Sequence, residues 1–149
     1  MKNRKGIIIL LSRPIISVFG RSRTMKKEIK DLYDLWLKKT EGCAELHDEL
    51  AAIEGKEDEI SDRFYRALEF GTGGLRGVLG AGTNRMNVFT VNQATQGLAD
   101  YLNAKYDSPS VAIAHDSRIN SDVFARGAAG VLAANGAVIS RSEISVRVK

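Results

Sequence analysis

The sequence predicts an α/β fold in which a mostly parallel sheet is covered by helices and preceded by N-terminal helices. Three observations point there. Apolar residues recur at helical spacing through residues 26–69, a short unbroken apolar run occupies 111–114, and a helical stretch then leads over short connections into a second apolar run at 137–140. Strand, helix and strand in that order make a right-handed βαβ unit, which brings its two strands side by side and parallel. At 149 residues the chain can hold one domain with a proper core. Its apolar fraction of 44% and charged fraction of 27% are those of an ordinary globular protein.

Residues 1–24 stand apart from the rest. They carry Lys2, Arg4, Lys5, Arg13, Arg21 and Arg23 and no acidic residue. Removing those six from the 22 basic residues leaves 16 against 18 acidic ones, so the net charge of +4 belongs to this leader and the remainder sits near −2. No basic stripe with interleaved aromatics occurs in the remainder, which argues against a nucleic-acid function. The apolar run at 7–11 is interrupted by Arg13 and Pro14, short of the roughly 7–15 apolar residues of a secretory signal and the roughly 20 of a membrane span. The expectation is an upstream extension outside the fold, a start at Met25 and no membrane attachment, with a targeting segment as the alternative reading of this leader. Cys43 is the sole cysteine, so no internal disulfide or cysteine metal cluster is available, which fits a reducing, cytoplasmic setting.

The elements follow in order. Over 26–39, Ile29, Leu32, Tyr33, Trp36 and Leu37 mark one buried stripe of a helix. Gly42 breaks it. A second helix carries Leu46, Leu50 and Ile53 and ends at Gly55, and a third over 58–69 carries Ile60, Phe64, Ala67 and Leu68. The acidic Glu57, Asp58 and Glu59 complement the dipole at the start of that third helix and offer a weak metal-binding pattern, since neighbouring helical carboxylates diverge. Residues 88–91 read as a short strand. A helix over 93–105 follows, with Ala94, Leu98, Tyr101 and Leu102 inward, and Asp107, Ser108 and Pro109 break it. Residues 111–114 have the unbroken apolar character of a strand buried on both faces. Ser121 then caps a helix over 122–135 carrying Phe124, Ala128, Val131 and Leu132, and Gly136 closes it.

Function is concentrated in residues 70–87, where six glycines and two arginines, Arg76 and Arg85, occur without an acidic residue. Glycines let backbone N–H groups turn toward one point and an arginine adds a forked cation, a combination suited to a phosphate-like anion. The dinucleotide fingerprint fails because Arg76 stands where the third glycine belongs, and the Walker pattern fails because Thr83 stands where a lysine belongs. A tight irregular connection with solvated arginines accounts for the same residues and stays open. Asp116 and Arg118 lie just past the carboxyl end of the predicted strand, the edge where ligand crevices of open α/β sheets form. A pair that only fixes its own loop is the competing reading. With His47 and His115 the only histidines, no histidine-based triad or metal cluster can be assembled.

The stretches 70–77, 82–87 and 114–118, with the helix after them, resemble the first domain of the α-D-phosphohexomutases, and within that superfamily the phosphoglucomutase and phosphopentomutase branch. The resemblance covers roughly residues 26–139. It implies a three-layer α/β/α domain and a four-domain enzyme that moves a phosphoryl group between the 1- and 6-hydroxyls of a hexose, or the 1- and 5-hydroxyls of a pentose. In that family a phosphoserine donates, a sugar bisphosphate forms and reorients, and Mg2+ is held by the serine and an aspartate-rich loop of the second domain. Carried over by position, Arg76 contacts the active-site phosphate, Thr72, Gly73 and Gly74 shape that side of the cleft, and Asp116 and Arg118 support it. Phosphorylated sugars are the implied partners.

The chain departs from the family pattern in lacking a Ser-His pair and an Asp-Gly-Asp-x-Asp loop. After Ile139 its sequence no longer resembles the expected strand and Pro-Thr-Pro turn. The expectation is therefore an incomplete domain spanning 25–149, cut or frame-shifted before the serine loop. Such a fragment has no catalytic residue, binds neither Mg2+ nor the bisphosphate activator by itself, and is inactive alone. Ser140, Ser142 and Ser145 have nothing nearby to activate them as nucleophiles. The alternative is a non-catalytic module that binds sugar phosphates or a partner. Sugar preference lies in a later domain of such enzymes, so the sequence does not separate glucose, mannose and pentose substrates.

Overall fold

A computed structural model describes residues 22–143, with side chains over 27–140. Of the leader reading over 1–24, residues 1–21 lie outside the described residues, as does the tail with Ser145, whereas Ser22, Arg23 and Thr24 belong to the first helix. Three helices come first, α1 (Ser22–Lys39), α2 (Ala44–Ala51) and α3 (Glu57–Phe64). The stripe marked by periodicity on α1 is the one it buries. Tyr33 is enclosed with Leu46, Leu50, Ile53, Phe64 and Ala81, and Ile29, Leu32, Trp36 and Leu37 pack around them. Tyr33 brings a hydroxyl inside and satisfies it by donating to the Leu50 carbonyl at 3.0 Å. Burial there pushes its phenol up from the ordinary value, and the negative charges of Glu54 and Asp34 add to the effect. Tyr33 and Trp36 meet Phe64 edge-on, with ring centroids 6.0 and 5.7 Å apart.

The third helix is shorter than its sequence suggests. Instead of continuing to 69, α3 stops at Phe64 because the glycine-rich loop takes over its last carbonyls. Asn84 N–H donates to the Arg63 carbonyl at 2.9 Å, Asn84 Nδ2 to that of Asp62 at 3.1 Å, and Thr83 Oγ1 to that of Arg66 at 2.8 Å. Carbonyls that a helix end leaves unpaired are thereby satisfied from 17 to 22 residues away. Ala67 and Leu68 consequently leave the helix. The chain then forms a minimal hairpin, β1 (Phe70–Gly71) against β2 (Gly74–Leu75), antiparallel with Gly71 opposite Gly74.

Residues 88–91 are helical, not a strand. Their β-branched and aromatic character favours a strand, but Asn87 overrides it by capping α4 (Val88–Lys105). Its side-chain oxygen accepts from Phe89 and Thr90 N–H at 3.0 and 3.1 Å, and Thr90 Oγ1 accepts from the Asn87 N–H at 3.0 Å, a complete capping box. Trp36 and Phe89, with ring centroids 5.6 Å apart, tie α4 back to α1. The buried face of α4 is made of Thr90, Thr95 and Ala99, while Leu98 and Tyr101, expected inside, are exposed. The small inward residues allow a close approach to α5 (Ser121–Ala134), where the Asn92 amide fills the space that a side chain at Gly127 would occupy.

The βαβ unit is present. β3 (Ser110–His115) and β4 (Val138–Glu143) pair in parallel with Val111 opposite Ile139, and α5 packs on both strands and on α4. The strand β3 is half-buried and alternating. Val111 and Ile113 are partly covered, whereas Ala112 and Ala114 are exposed, so the expected burial on both faces is not met. Among the described residues no helix packs on the other face of this two-stranded sheet, which makes the domain the incomplete α/β arrangement its sequence predicts. Asn120, at φ 62, occupies the N-cap position of α5 in place of Ser121. Among the described residues no helix is long and apolar enough to cross a membrane.

Candidate phosphate-binding site

The hairpin β1–β2 turns through Thr72 and Gly73, and Gly74 leaves the turn at φ +106, a conformation open to glycine. Arg76 folds back over this turn. Its guanidinium lies where a side chain on Gly73 would be, with Nη2 only 2.6 Å from that position. The arginine is exposed, and among the described residues nothing pairs with its charge. Thr72, Gly73, Gly74 and Arg76 are thus gathered at one hairpin tip.

Arg85 has a different fate. It is paired with Asp62, it donates Nη1 to the Asn84 carbonyl at 3.1 Å, and its side chain is only 14% exposed. Its charge is spent on holding the loop to α3, so of the two arginines only Arg76 remains to meet an anion. The hollow beside that pair is lined by Asp58, Glu59 and Asp62 together with Arg63 and Arg85, and both of these guanidiniums are already paired with carboxylates.

The loop between the two arginines is held by residues that sequence reading did not single out. Glu49 on α2 accepts from Arg63 Nη1 at 2.5 Å and from Ala81 N–H at 2.8 Å, and the same Arg63 nitrogen donates to the Ala81 carbonyl at 3.1 Å. Gly82, at φ +129, passes so close to Arg63 that an added Cβ would come within 2.7 Å of its carbonyl oxygen. Asn87, 3% exposed, donates Nδ2 to the carbonyls of Gly80, Gly82 and Arg85 at 2.8, 3.0 and 3.3 Å. The Asn87 role had a readable signal, a capping-type residue just before an apolar run. The Glu49–Arg63 contact had none, because its partners are 14 positions apart and on different helices.

Asp116 and Arg118 form the second cluster, at the carboxyl end of β3. Asp116 accepts from the Arg118 backbone N–H at 3.1 Å, from its Nε at 2.8 Å, and from Ser121 Oγ at 3.1 Å. These hydrogen bonds, the backbone one foremost, hold the Asp116 carboxyl below the ordinary carboxylate value. The Arg118 side chain is 86% exposed, so the pair orders the turn while leaving the rest of the guanidinium toward solvent. Among the described residues no hydrogen bond or ion pair joins this corner to the hairpin. A cleft of about 320 Å³ counts Leu79, Gly80 and Asn87 and also Ile119, Asn120 and Phe124 among its lining, but neither Arg76 nor Asp116 or Arg118 lines it.

The chemistry on offer is recognition of an anion by a forked cation over a glycine turn. Among the described residues no group of three or more His, Cys, Asp or Glu side chains converges, so they do not fit the Mg2+ that the resemblance implies. The acidic start of α3 does not alter this, since Glu59 reaches Lys56 at 3.5 Å.

Residues 67–146 match the family model described as phosphoglucomutase/phosphomannomutase, alpha/beta/alpha domain I. That match continues beyond Ile139, where the sequence had stopped resembling the expected strand, and β4 likewise runs on to Glu143. The chain is similar to a phosphoribomutase of Saccharomyces cerevisiae, 37% identical over 120 residues that cover 78% of this chain and 19% of the relative. It is similar to a phosphoglucomutase of Staphylococcus saprophyticus, 45% identical over 86 residues covering 56% and 16% respectively. A phosphoglucomutase of Staphylococcus aureus is 38% identical over 105 residues, covering 62% and 19%. The chain thus spans less than a fifth of the length of these curated relatives. No solved structure matches it.

Proposed function

The chain belongs to the phosphoglucomutase/phosphomannomutase family, and on that premise we propose that it forms the phosphate-binding wall of a phosphosugar mutase. In this reading Arg76 binds phosphate oxygens of the sugar phosphate, with the Thr72–Gly73–Gly74 turn shaping the adjoining surface. Asp116 and Arg118 form a second corner, next in sequence to the Ile119 and Asn120 that line the cleft. The observation that carries the proposal is the Arg76 guanidinium laid against Gly73, exposed and unspent, beside an arginine that is fully committed.

Phosphoryl transfer needs this kind of wall. The transferred group carries its charge on equatorial oxygens, and catalysis rests on positioning and charge stabilisation. A guanidinium supplies two parallel N–H donors matched to two such oxygens. The reaction of the whole enzyme is an exchange between the 1- and 6-positions of a hexose phosphate, or the 1- and 5-positions of a pentose phosphate. A phosphoserine, Mg2+ and a sugar bisphosphate belong to that reaction and to parts of the enzyme outside the residues described. This chain alone binds without turning over. Its single thiol suits a cytoplasmic enzyme.

Calorimetric titration of the full chain with glucose 1-phosphate tests the proposal, alongside a coupled assay for glucose 6-phosphate. We expect a dissociation constant of about 1 mM, weakened about tenfold or more in Arg76→Ala, and no product. Product formed by the purified chain overturns the inactivity. A cooperatively melting chain that binds no sugar phosphate overturns the phosphate wall and favours a module that docks a partner.

A further inference from the structure

We infer that Asn87 is a positioning residue for the phosphate hairpin, a latch separate from its part as the cap of α4; this rests on the phosphate-wall reading for its functional consequence. The two halves of one amide do two jobs. Oδ1 faces α4 and accepts from Phe89 and Thr90 N–H. Nδ2 faces away from the helix and donates to three carbonyls of the loop, those of Gly80, Gly82 and Arg85. A carboxylate or hydroxyl serves as well for the cap alone. An amide places an acceptor oxygen and a nitrogen with two N–H donors on separate atoms of one short side chain, whereas an ionised carboxylate only accepts.

The latch reaches the hairpin through the backbone. With Gly80 held, its N–H donates to the Met86 carbonyl at 3.2 Å, and Met86 N–H donates to the Val78 carbonyl at 2.8 Å, two residues past Arg76. The leg before the hairpin is fixed to the same loop, since Leu68 N–H donates to the Thr83 carbonyl at 2.8 Å. Leu68 also fills the space a side chain on Gly77 would need, with Cδ1 2.7 Å from that position. Both legs of the Arg76 hairpin therefore stand on the 78–86 loop, and Asn87 is the buried group that ties that loop, its two N–H donors shared among three carbonyls with that of Arg85 the farthest at 3.3 Å.

The Asn87→Asp substitution separates the two jobs. The aspartate keeps the acceptor that caps α4, and its charge suits a helix N-terminus. Its second oxygen no longer donates and, when ionised, confronts the Gly80, Gly82 and Arg85 carbonyls. Amide hydrogen exchange on the full chain reads the latch without any ligand. The expected result is at least about tenfold faster exchange at Gly80 and Met86 with Phe89, Thr90 and the body of α4 unchanged. Titration with glucose 1-phosphate reads the consequence, an affinity about tenfold below the unsubstituted chain at about pH 8.

Unchanged exchange at Gly80 and Met86 overturns the latch. Faster exchange across α4 as well overturns the separation of latch from cap. Faster loop exchange with the affinity unchanged shows that the loop does not position the hairpin. If the unsubstituted chain itself fails to bind glucose 1-phosphate, the phosphate-wall reading fails, and the exchange measurement still decides the latch.

Discussion

Gly73→Ala tests the site most sharply because the three atoms nearest to the added Cβ all belong to the Arg76 guanidinium. The residue has no left-handed φ, so alanine meets no backbone objection. The added Cβ would lie 2.6 Å from Arg76 Nη2 and 3.2 Å from Cζ, and ordinary contact begins near 3.4 Å. The guanidinium must therefore retreat by about 0.8 Å or more, the difference between 3.4 and 2.6 Å. Arg76 is exposed and flexible, so this displacement costs the fold little, and the loss of a glycine from the unfolded chain offsets it by about 0.4–1 kcal/mol. For a phosphate the displacement is costly. Losing one charge-assisted hydrogen bond amounts to about 1.5–3 kcal/mol, or roughly a tenfold to hundredfold loss in affinity. Calorimetry with glucose 1-phosphate on the unsubstituted chain, Gly73→Ala and Arg76→Ala, together with thermal melts, gives the answer. The expected pattern is a melting temperature unchanged or slightly raised and an affinity close to that of Arg76→Ala. Gly73→Ala binding as tightly as the unsubstituted chain would refute the idea that the fork acts from its seat on the turn.

Two further outcomes concern the scaffold. Leu50 is fully buried at the centre of the helical core, so Leu50→Ala should destabilise the chain by about 2–5 kcal/mol in a urea melt, and a loss below about 1 kcal/mol would show that the core collapses around the gap. The Asp116 carboxyl lies below its ordinary value of 3.8, so the turn it orders is fully supported above that pH and loses support only as pH falls through the lower native value. Carbon-13 titration of Asp116 should give a midpoint under 3.8, moving upward in Ser121→Ala, and a midpoint at or above 3.8 would contradict the hydrogen-bond account.

Much of this architecture was legible in the chain. The stripe from Ile29 to Leu37 repeats at helical spacing and is buried as that spacing demands. The run 111–114 is a strand because it is short, apolar and bounded by turn residues, and the segment after Gly136 pairs with it through Val138 and Ile139 at its start. What failed depended on an overlooked cap and on distant partners. Residues 88–91 look like a strand until Asn87 is seen to cap them. The end of α3 was misplaced because Thr83 and Asn84 claim its carbonyls from the far side of the hairpin. Leu98 and Tyr101 were read as inward because they are apolar, yet α4 meets α5 through Thr95 and Ala99. The site shows the same division. Its composition announces an anion, but composition treats Arg76 and Arg85 alike, and only the position of Asp62, 23 residues away from Arg85, tells them apart.

The grip of α2 and α3 on the glycine loop has a consequence for how the binding wall comes into being. Glu49 reaches Ala81 across 32 positions, and Asn84 reaches back across 22 to the Asp62 carbonyl. Contacts of that span close late in folding, after the local helices exist to receive them. The anion hairpin is then a dependent of the helical bundle and not of the βαβ unit that follows it. A version of the domain lacking residues 22–64 would keep its strands and Arg76, yet have no template on which to shape the turn that aims that arginine.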